Sequence, residues 1–315
     1  MRVAVVDLGT NSTRLLVAEV IDGKVEELAR ETNVTRLGEG VDSSGRLADE
    51  AIGRVVKVLS GYREEIDSHG AEDTVAVATS AVRDAENGPE FSELLKERFA
   101  IEAKTIPGEE EARLTFLGAT SGRSETDETL VIDIGGGSTE YVIGRPGHDP
   151  EFHVSTRMGS VRHTERHIDD DPPSDEQLMA LRASARKIVE AEVPAELREE
   201  VDRGIAVAGT ATSLAAIDQE LDPYDPGRVH GYVLDTAACE RMLDELAAIP
   251  VEERRHVTGL NPDRAPTIVA GVAILIESMA AFGLERMQVS EADILHGAAL
   301  DAAGDAGGPQ SGEGG

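Results

Sequence analysis

One pattern of side chains occurs twice in the chain, and this repeat constrains the fold more than any other feature. The stretch VVDLGTNSTRLLVAEV begins at residue 5, and VIDIGGGSTEYVIGRP begins at residue 131. Both contain an apolar run, an Asp, an apolar residue, a Gly, a Ser-Thr pair and a second apolar run. Asp7 therefore matches Asp133, and Gly9 matches Gly135. Self-similarity of this kind predicts two related structural units.

A second repeat follows each copy of the first in the same order. The stretch VAVATSAVRDA begins at residue 75, and IAVAGTATSLAAI begins at residue 205. Each is a short β-rich run that passes through Thr or Ser into a helical pattern. The first repeat has an offset of 126 residues and the second an offset of 130. Because two separate features recur at nearly one spacing, we interpret them as an internal duplication.

The segments between the repeats alternate between strand and helix patterns, which is typical of α/β proteins. We predict two domains, residues 1–125 and 126–302, with the last helix free to pack back on the first domain. The glycine-rich residues 303–315 are predicted to be a disordered tail, because they offer few side chains to bury. Helices are predicted in residues 47–70, 88–99, 109–122, 174–193, 236–249 and 263–283, a short strand in 101–106 and a solvated loop in 169–175.

The repeated elements predict a cleft that binds anions. Each first repeat reads as a β-hairpin whose glycine turn lets the backbone approach a ligand closely. Each second repeat leads a strand into a helix N-terminus, where free N–H groups and the helix dipole favour an anion. If the two halves face each other, their loops and helix ends would form a site shaped for a polyphosphate.

The segment DIGGGSTE supplies the residue types that such a site needs. Its glycines expose N–H groups to phosphate oxygens, and Ser138 and Thr139 add hydroxyl donors. Asp133 and Glu140 are hard oxygen ligands suited to Mg²⁺, and Asp7 in the matching loop could complete the metal shell. The alternative is a tight hairpin in which Asp133 only caps the turn.

Three consecutive acids, Glu109, Glu110 and Glu111, stand at a predicted helix start. Acids at this position stabilise a helix through its dipole, so surface capping alone is one interpretation. The other is that a carboxylate near the cleft deprotonates a water molecule for attack on phosphorus.

Arg83 follows the first strand-to-helix turn and is the leading candidate for a guanidinium fork on phosphate. A solvated helix arginine is the competing interpretation. Arg157 and Arg162, in RMGSVR, are weaker candidates for the same role.

The charge of the chain excludes some classes of partner. With 61 acids against 30 Lys and Arg, the net charge of −31 argues against broad contact with DNA or an anionic membrane. Only five residues are Lys, which suits either a salt-rich cell interior or a GC-rich genome.

Cys239 is the only cysteine, so no internal disulfide can form, and a small buried helix residue is its expected role. No segment predicts a membrane span, and we expect a cytoplasmic protein.

Several common signatures are missing from the sequence, namely GxxxxGK[ST], HExxH and CxxC. His163 and His167 are four residues apart in HTERH, as metal ligands can be, but the nearby acids are not placed as partners. We therefore interpret this stretch as a polar surface turn.

A longer series of motifs resembles the exopolyphosphatase/guanosine pentaphosphatase (Ppx/GppA) family. The series runs in order from about residue 2 to residue 300: DLGTNSTRLLV, ATSAVRDA, GEEEARL, DIGGGSTE, RMGSVR, GTATSLAA, HGYVL, NPDRA and SEADILHGAA. The resemblance implies the actin, sugar-kinase and heat-shock-ATPase superfold, in which two ribonuclease-H-like domains flank a cleft. That architecture agrees with the internal duplication.

The resemblance also implies roles for individual residues. Glu111 would activate the water molecule, Asp133 and Glu140 would hold Mg²⁺, and Arg83 would bind phosphate. Mn²⁺ is the alternative metal, since it shares the oxygen preference. The residues implied to line the phosphate path are Gly9, Thr10, Asn11, Ser12, Gly135, Gly136, Gly137, Ser138, Gly209, Thr210 and Thr212.

The implied reaction is the release of terminal orthophosphate from inorganic polyphosphate, or of the 5′ γ-phosphate from guanosine pentaphosphate. We expect a short form without the extra C-terminal domains that longer family members carry, which would favour short chains or a nucleotide and weakens the expectation of a homodimer. Two other classes stay open from the residues: a small-molecule kinase of the same superfold, and a non-catalytic sensor that binds a guanosine alarmone. Fold analogy alone does not separate them.

Overall fold

The computed structural model describes residues 1–123 and 127–307, with side chains described through residue 304. Its strands form two sheets, which define a first lobe and a second lobe. The first sheet contains β1 (Arg2–Leu8), β2 (Ser12–Ile21), β3 (Lys24–Val34), β4 (Asp73–Ala78) and β5 (Ala103–Thr105). The second contains β6 (Thr129–Ile134), β7 (Thr139–Gly144), β8 (Phe152–Thr156), β9 (Arg203–Val207), β10 (Val233–Asp235) and β11 (Arg286–Val289).

Helices connect and cover the strands of both sheets. In the first half of the chain they are α1 (Val41–Ser44), α2 (Asp49–His69), α3 (Ser80–Asp84), α4 (Gly88–Phe99) and α5 (Gly108–Thr120). In the second half they are α6 (Ser160–His167), α7 (Asp175–Glu192), α8 (Ala195–Glu200), α9 (Ala208–Asp218), α10 (Pro226–Val229), α11 (Thr236–Ala247), α12 (Val251–Arg254), α13 (Ile268–Ala281) and α14 (Ile294–Gly307). A 3₁₀ turn spans Pro262–Arg264.

The two sheets repeat one strand order. It is β3-β2-β1-β4-β5 in the first lobe and β8-β7-β6-β9-β11 in the second, where β10 adds an antiparallel edge. Each lobe begins with an antiparallel hairpin, and β4 and β9 then run parallel to the first strand of their lobes. The hairpin turns also match, since Gly9 N donates to Ser12 O and Gly135 N donates to Ser138 O, both at 3.0 Å. The duplication seen in the sequence is therefore a duplication of the fold.

Buried aliphatic side chains hold each lobe together. In the first lobe, one face of the sheet packs against α2 and α4, and the other packs against α5 and α14. In the second, α13 lies in the middle of the core, and all of its residues except the last two are buried. Such an all-round apolar helix is stable only where neighbours cover every side. Because α14 follows β11 of the second sheet and packs on the first, the chain crosses back between the lobes.

The predicted helices agree closely with the observed ones. Helix α2 ends where glycine was expected to stop it, with Gly70 at φ 60° in the left-handed region. The strand predicted in 101–106 is shorter, because only Ala103–Thr105 pairs with β4.

The predicted domain boundary at residue 125 lies outside the described residues. Helix α14 continues to Gly307, into the tail predicted from residue 303, and residues 308–315 lie outside the described part.

The interpretation of HTERH as a polar surface turn is wrong. These residues belong to α6, and the side chain of His163 is fully buried. Its ring centroid lies 5.3 Å from that of His167, and burial lowers the pKa of His163 to about 4. The geometry of the helix turns the side chain of His163 towards the core. The polar composition of HTERH does not reveal this orientation.

Cys239 is buried in α11, as expected for a packing residue. Among the described helices, even the most apolar one, α13 with its 14 residues, falls short of the length that a bilayer crossing requires.

Candidate functional site

The carboxyl ends of the central strands of both sheets meet at a small cavity of about 70 Å³. The hairpin turns form two of its walls, and the starts of α3 and α9 contribute the others. Of the residues predicted from the sequence, those that line it are Asp7, Gly9, Thr10, Asn11, Ser12, Glu111, Asp133, Gly135, Gly136, Ser138 and Gly209. The structure thus brings together residues from both halves of the chain.

The two hairpin turns approach each other so closely that glycine is needed at the contact. A Cβ atom on Gly136 would lie 3.1 Å from atoms of Asn11 and Thr10, and one on Gly137 would lie 2.7 Å from Ser80 Oγ. Thr10 Oγ1 and Ser80 Oγ are also 2.8 Å apart and share a hydrogen bond. Gly136 and Gly137 therefore let the second lobe close onto the hydroxyl groups of the first.

Of the three acids at the start of α5, only Glu111 faces the cleft. Its side chain is 10% exposed, whereas that of Glu109 is 76% exposed and that of Glu110 pairs with Arg113 at 2.8 Å. Arg83 Nη1 donates to Glu111 Oε2 at 3.1 Å and to the carbonyl of Ile106 at 3.0 Å. The predicted base and the predicted phosphate ligand are thus hydrogen-bonded to each other.

Arg83 lies in an adjoining cavity of about 220 Å³, and not in the smaller one. Gly137, Arg157 and Arg162 also line this cavity. Arg162 and Arg157 reach across the cleft to Asp84, with closest distances of 2.9 and 3.2 Å. Because both of these arginines pair with an acid of the first lobe, they join the two lobes, whereas Arg83 contacts Glu111 directly.

Burial, together with nearby carboxylates, raises the pKa of three acids at the cleft. Burial raises the pKa of Glu111 to about 8 and that of Asp133 to about 7, and it also raises the pKa of Glu140. Repulsion between the carboxylates adds to the effect of burial, whereas Arg83 opposes it at Glu111 and Arg14 opposes it at Asp133. Such a cluster gains stability from a bound cation.

Asp133 and Glu140 are cross-strand partners on β6 and β7. Asp133 lines the small cavity, and Glu140 lies behind it with 1% exposure and accepts a hydrogen bond from Ser155 Oγ at 2.7 Å. The matching pair in the first lobe is Asp7 and Arg14. Arg14 Nε donates to Asp7 Oδ2 at 2.8 Å, while Asp7 Oδ1 is buried without a hydrogen-bond partner among the described residues.

The predicted metal ligands are not assembled as a complete shell. Within residues 1–123 and 127–307, no group of three or more His, Cys, Asp or Glu side chains is arranged to bind a metal. Among the predicted ligands, Asp7 accepts a hydrogen bond from Arg14 and Glu140 accepts one from Ser155.

Sequence reasoning missed two arginines, Arg14 and Arg264. Both line the small cavity and a larger one of about 770 Å³ that adjoins it. Burial lowers the pKa of Arg264 to about 10, and in the described part of the chain its guanidinium has no hydrogen bond or ion pair. Gly209 packs directly on this guanidinium, so a side chain there would displace it. The motif NPDRA carried the only signal for Arg264.

Two predicted residues of the phosphate path do not line the small cavity. Thr210 is 4% exposed and its hydroxyl faces Gly271 of α13, and Thr212 lines the larger cavity. The first residues of helix α9 line the cleft, whereas the side chain of Thr210 points into the core. Neighbouring positions on a helix face different directions.

The fold and the site define a class of protein, namely a two-lobed α/β protein with an actin-like fold and a cleft between ribonuclease-H-like lobes. Comparisons with known proteins agree. The model of the Ppx/GppA phosphatase family matches residues 16–305. The chain belongs to the Ppx/GppA phosphatase family, and both the recognition and the fold class predicted from the sequence are confirmed.

Individual relatives cover nearly the whole chain. It is 36% identical to exopolyphosphatase 2 of Mycobacterium tuberculosis over 318 residues, which covers 96% of this chain and 99% of the relative. A crystal structure of the Aquifex aeolicus Ppx/GppA family member is 32% identical, with a TM-score of 0.82, and covers 98% of this chain and 99% of that one. An exopolyphosphatase from Cytophaga hutchinsonii is 25% identical, with a TM-score of 0.86 and coverage of 96% and 98%.

Proposed function

We propose that the protein is a Mg²⁺-dependent exopolyphosphatase, which releases orthophosphate from the end of an inorganic polyphosphate chain. The observation that carries the proposal is the pairing of Glu111 with Arg83 beside the glycine turns of both lobes. The family and its exopolyphosphatase members support the same reaction.

The protein's own groups account for binding of the terminal phosphate. N–H groups of the hairpin turns, together with the hydroxyls of Thr10, Ser12 and Ser138, line the small cavity and suit phosphate oxygens. Arg83 sits next to this cavity and would exchange its contact with Glu111 for one with the substrate. Charge-assisted hydrogen bonds of this kind fix the phosphorus atom for in-line attack.

Glu111 is suited to act as the general base. Its Oε2 accepts from Arg83, which leaves Oε1 for a water molecule in the cleft. As the water oxygen forms a bond to the terminal phosphorus, Glu111 takes the proton, and the bridging P–O bond breaks with its electrons going to the shortened chain. The raised pKa, about 8, makes the ionised carboxylate of Glu111 a stronger proton acceptor than an exposed one.

The residues present fit a magnesium ion. Asp7, whose Oδ1 has no hydrogen-bond partner among the described residues, and Asp133 both line the small cavity, and their carboxylates offer only oxygen ligands. Asp133 and Asp7 would hold the ion, with Glu140 behind Asp133 adding negative charge. An incomplete protein shell suits Mg²⁺, which keeps several waters and binds substrate phosphates. When bound, the ion would neutralise charge on the phosphates around the broken bond.

The larger cavity would receive the rest of the substrate. Arg14 and Arg264 stand where the two cavities join, so they would contact phosphates beyond the terminal one.

Tyr224 also lines this larger cavity and is 46% exposed, which offers a ring for stacking of a nucleobase. That feature favours guanosine pentaphosphate as a second candidate substrate.

The reaction is tested with one purified sample and four substrates, namely long polyphosphate, short polyphosphate, guanosine pentaphosphate and ATP, each with and without EDTA. The proposal predicts orthophosphate release from polyphosphate without any acceptor, and its loss in EDTA. Phosphate transfer that needs an added small-molecule acceptor would indicate a kinase. Tight binding of guanosine pentaphosphate without turnover of any substrate would indicate a sensor.

A further inference from the structure

Asp293 lies where the chain leaves the second lobe and enters the first. It follows β11 and directly precedes α14, which packs on the first sheet. Its side chain is 2% exposed, and both of its carboxylate oxygens have partners. Oδ1 accepts from the backbone N–H of Leu295 at 3.0 Å, and Oδ2 accepts from Arg14 Nη1.

Arg14 is therefore held by two acids that are far apart in the sequence. Asp7 binds its Nε, with Nη2 at 2.7 Å from the same oxygen, while Asp293 binds Nη1. The hydrogen bonds through Nε and Nη1 use two of the five N–H donors of a guanidinium, so donors remain for a ligand.

Contacts on both sides fix Asp293 relative to this arginine. On one side, Arg30 of β3 donates to the carbonyl of Glu291 at 2.9 Å. On the other side, His296 Nε2 lies 3.0 Å from Glu27 Oε1. These contacts attach the crossover segment to β3 on both sides of Asp293, whose carboxylate accepts a hydrogen bond from Arg14.

We propose that Asp293 is a positioning residue that holds Arg14 at the junction of the two cavities, ready for a substrate phosphate beyond the terminal one. This inference rests on the proposed function. Without Asp293, Arg14 would be held by Asp7 alone, and substrate binding would have to order a freer side chain. A guanidinium held in place loses less entropy for each hydrogen bond that it forms.

The direction in which KM changes when Asp293 is removed tests the proposal, because a purely electrostatic effect would act in the opposite direction. Removal of a negative charge near a polyanion should by itself strengthen binding and lower KM. The carboxylate of Asp293 is, however, buried and paired with Arg14, which also pairs with Asp7. If Asp293 positions Arg14, KM therefore rises when Asp293 is removed.

The experiment compares Asp293→Ala, Asp293→Asn, Arg14→Ala and the Arg14→Ala/Asp293→Ala double variant with tripolyphosphate as substrate. We expect Asp293→Ala to raise KM roughly tenfold while kcat changes much less, since the chemistry at Glu111 is intact. Asp293→Asn keeps an acceptor oxygen and should lie between it and wild type. In the Arg14→Ala background, loss of Asp293 should raise KM no further, because its effect passes through Arg14.

Asp301→Asn is the matched control. Asp301 lies on α14 and also pairs with an arginine, Arg113 of α5, at 2.7 Å, but this pair lies outside the cleft cavities. Its KM should equal that of wild type. An unchanged or lower KM in the Asp293 variants, or additive effects in the double variant, would overturn the inference while the proposed function stands. If Asp293→Ala does not fold in a thermal unfolding assay, Asp293→Asn carries the test.

Wild type without activity on any polyphosphate would instead defeat the proposed function. Calorimetric binding of tripolyphosphate to the same variants then decides the inference separately. Weaker binding by the Asp293 variants supports it, and unchanged or tighter binding contradicts it.

Discussion

Arg14 occupies in the first lobe the position that Glu140 occupies in the second. Arg14 pairs with Asp7 across β1 and β2, and Glu140 pairs with Asp133 across β6 and β7. The duplicated hairpins thus carry opposite charges at equivalent places. This difference gives the two lobes different tasks, because the second hairpin favours a cation and the first adds a group that binds phosphate.

The acidic hairpin leads to a prediction about metal affinity. Glu140→Gln should raise the Mg²⁺ concentration needed for half-maximal activity roughly tenfold, because the site loses one negative charge next to Asp133. Activity is measured against Mg²⁺ concentration. Glu151→Gln, at a side chain that is 60% exposed, serves as the control and should match wild type. An unchanged magnesium requirement in Glu140→Gln would argue against a metal at this hairpin.

Arg83 should contribute to both binding and turnover. Arg83→Ala should lower kcat/KM roughly a hundredfold, because a charge-assisted contact with the transferring phosphate is lost and Glu111 is no longer oriented. Arg83→Lys should recover only part of the activity, since an ammonium cannot make a planar fork. Steady-state kinetics with polyphosphate measure both values. Arg113→Ala removes an arginine that pairs with Glu110 and should behave like wild type. Wild-type kinetics in Arg83→Ala would exclude a role in phosphate binding.

The raised pKa of Glu111, about 8, predicts how the rate depends on pH. A general base must be ionised, so kcat/KM should rise with pH until the carboxyl group has lost its proton. A bound cation favours ionisation and should shift this rise to lower pH. Rates between about pH 5 and about pH 9, at low and saturating Mg²⁺, test both statements. A profile that is flat over this range at either metal concentration would contradict the assignment of the base.

The same raised pKa values have a consequence for stability. Since folding raises the pKa of Glu111, Asp133 and Glu140, the folded state binds protons more tightly than the unfolded state. Their contribution to stability is therefore present at low pH and is lost as pH rises towards about 8. Mg²⁺ should raise Tm by about 3 °C or more, with a larger shift near pH 8 than near pH 5. Thermal unfolding with and without Mg²⁺ measures the shift, and an equal shift at both pH values would be inconsistent with ionisation of this cluster.

The sequence predicted those features that depend on the pattern of neighbouring residues along the chain. The hairpin turns, the strand-to-helix turns and most helices follow from periodicity, glycine placement and the repeat. Glu111 could be chosen among three adjacent acids only through the family resemblance, because its burial depends on how α5 meets the cleft. Helix α5 places Glu111 inside and leaves Glu109 outside, which follows from helical geometry once the packing is known.

Long-range partners could not be predicted from one sequence. Asp293 binds Arg14 across 279 positions, and no local pattern connects them. Likewise, Arg264 reaches the cleft because Gly209 leaves it room, which is a relation between two distant segments. The burial of His163 has the same origin, since its surroundings come from other parts of the fold.

The most direct test of the central claim is the rate of orthophosphate release from polyphosphate by Glu111→Gln, compared with Glu110→Gln from the same helical turn. Gln keeps the size of the side chain and can still accept a hydrogen bond from Arg83, but it cannot take a proton from water. We predict that kcat falls roughly a hundredfold or more in Glu111→Gln and stays at the wild-type value in Glu110→Gln. Equal rates in wild type and Glu111→Gln would contradict water activation at this carboxylate, and with it the proposed mechanism.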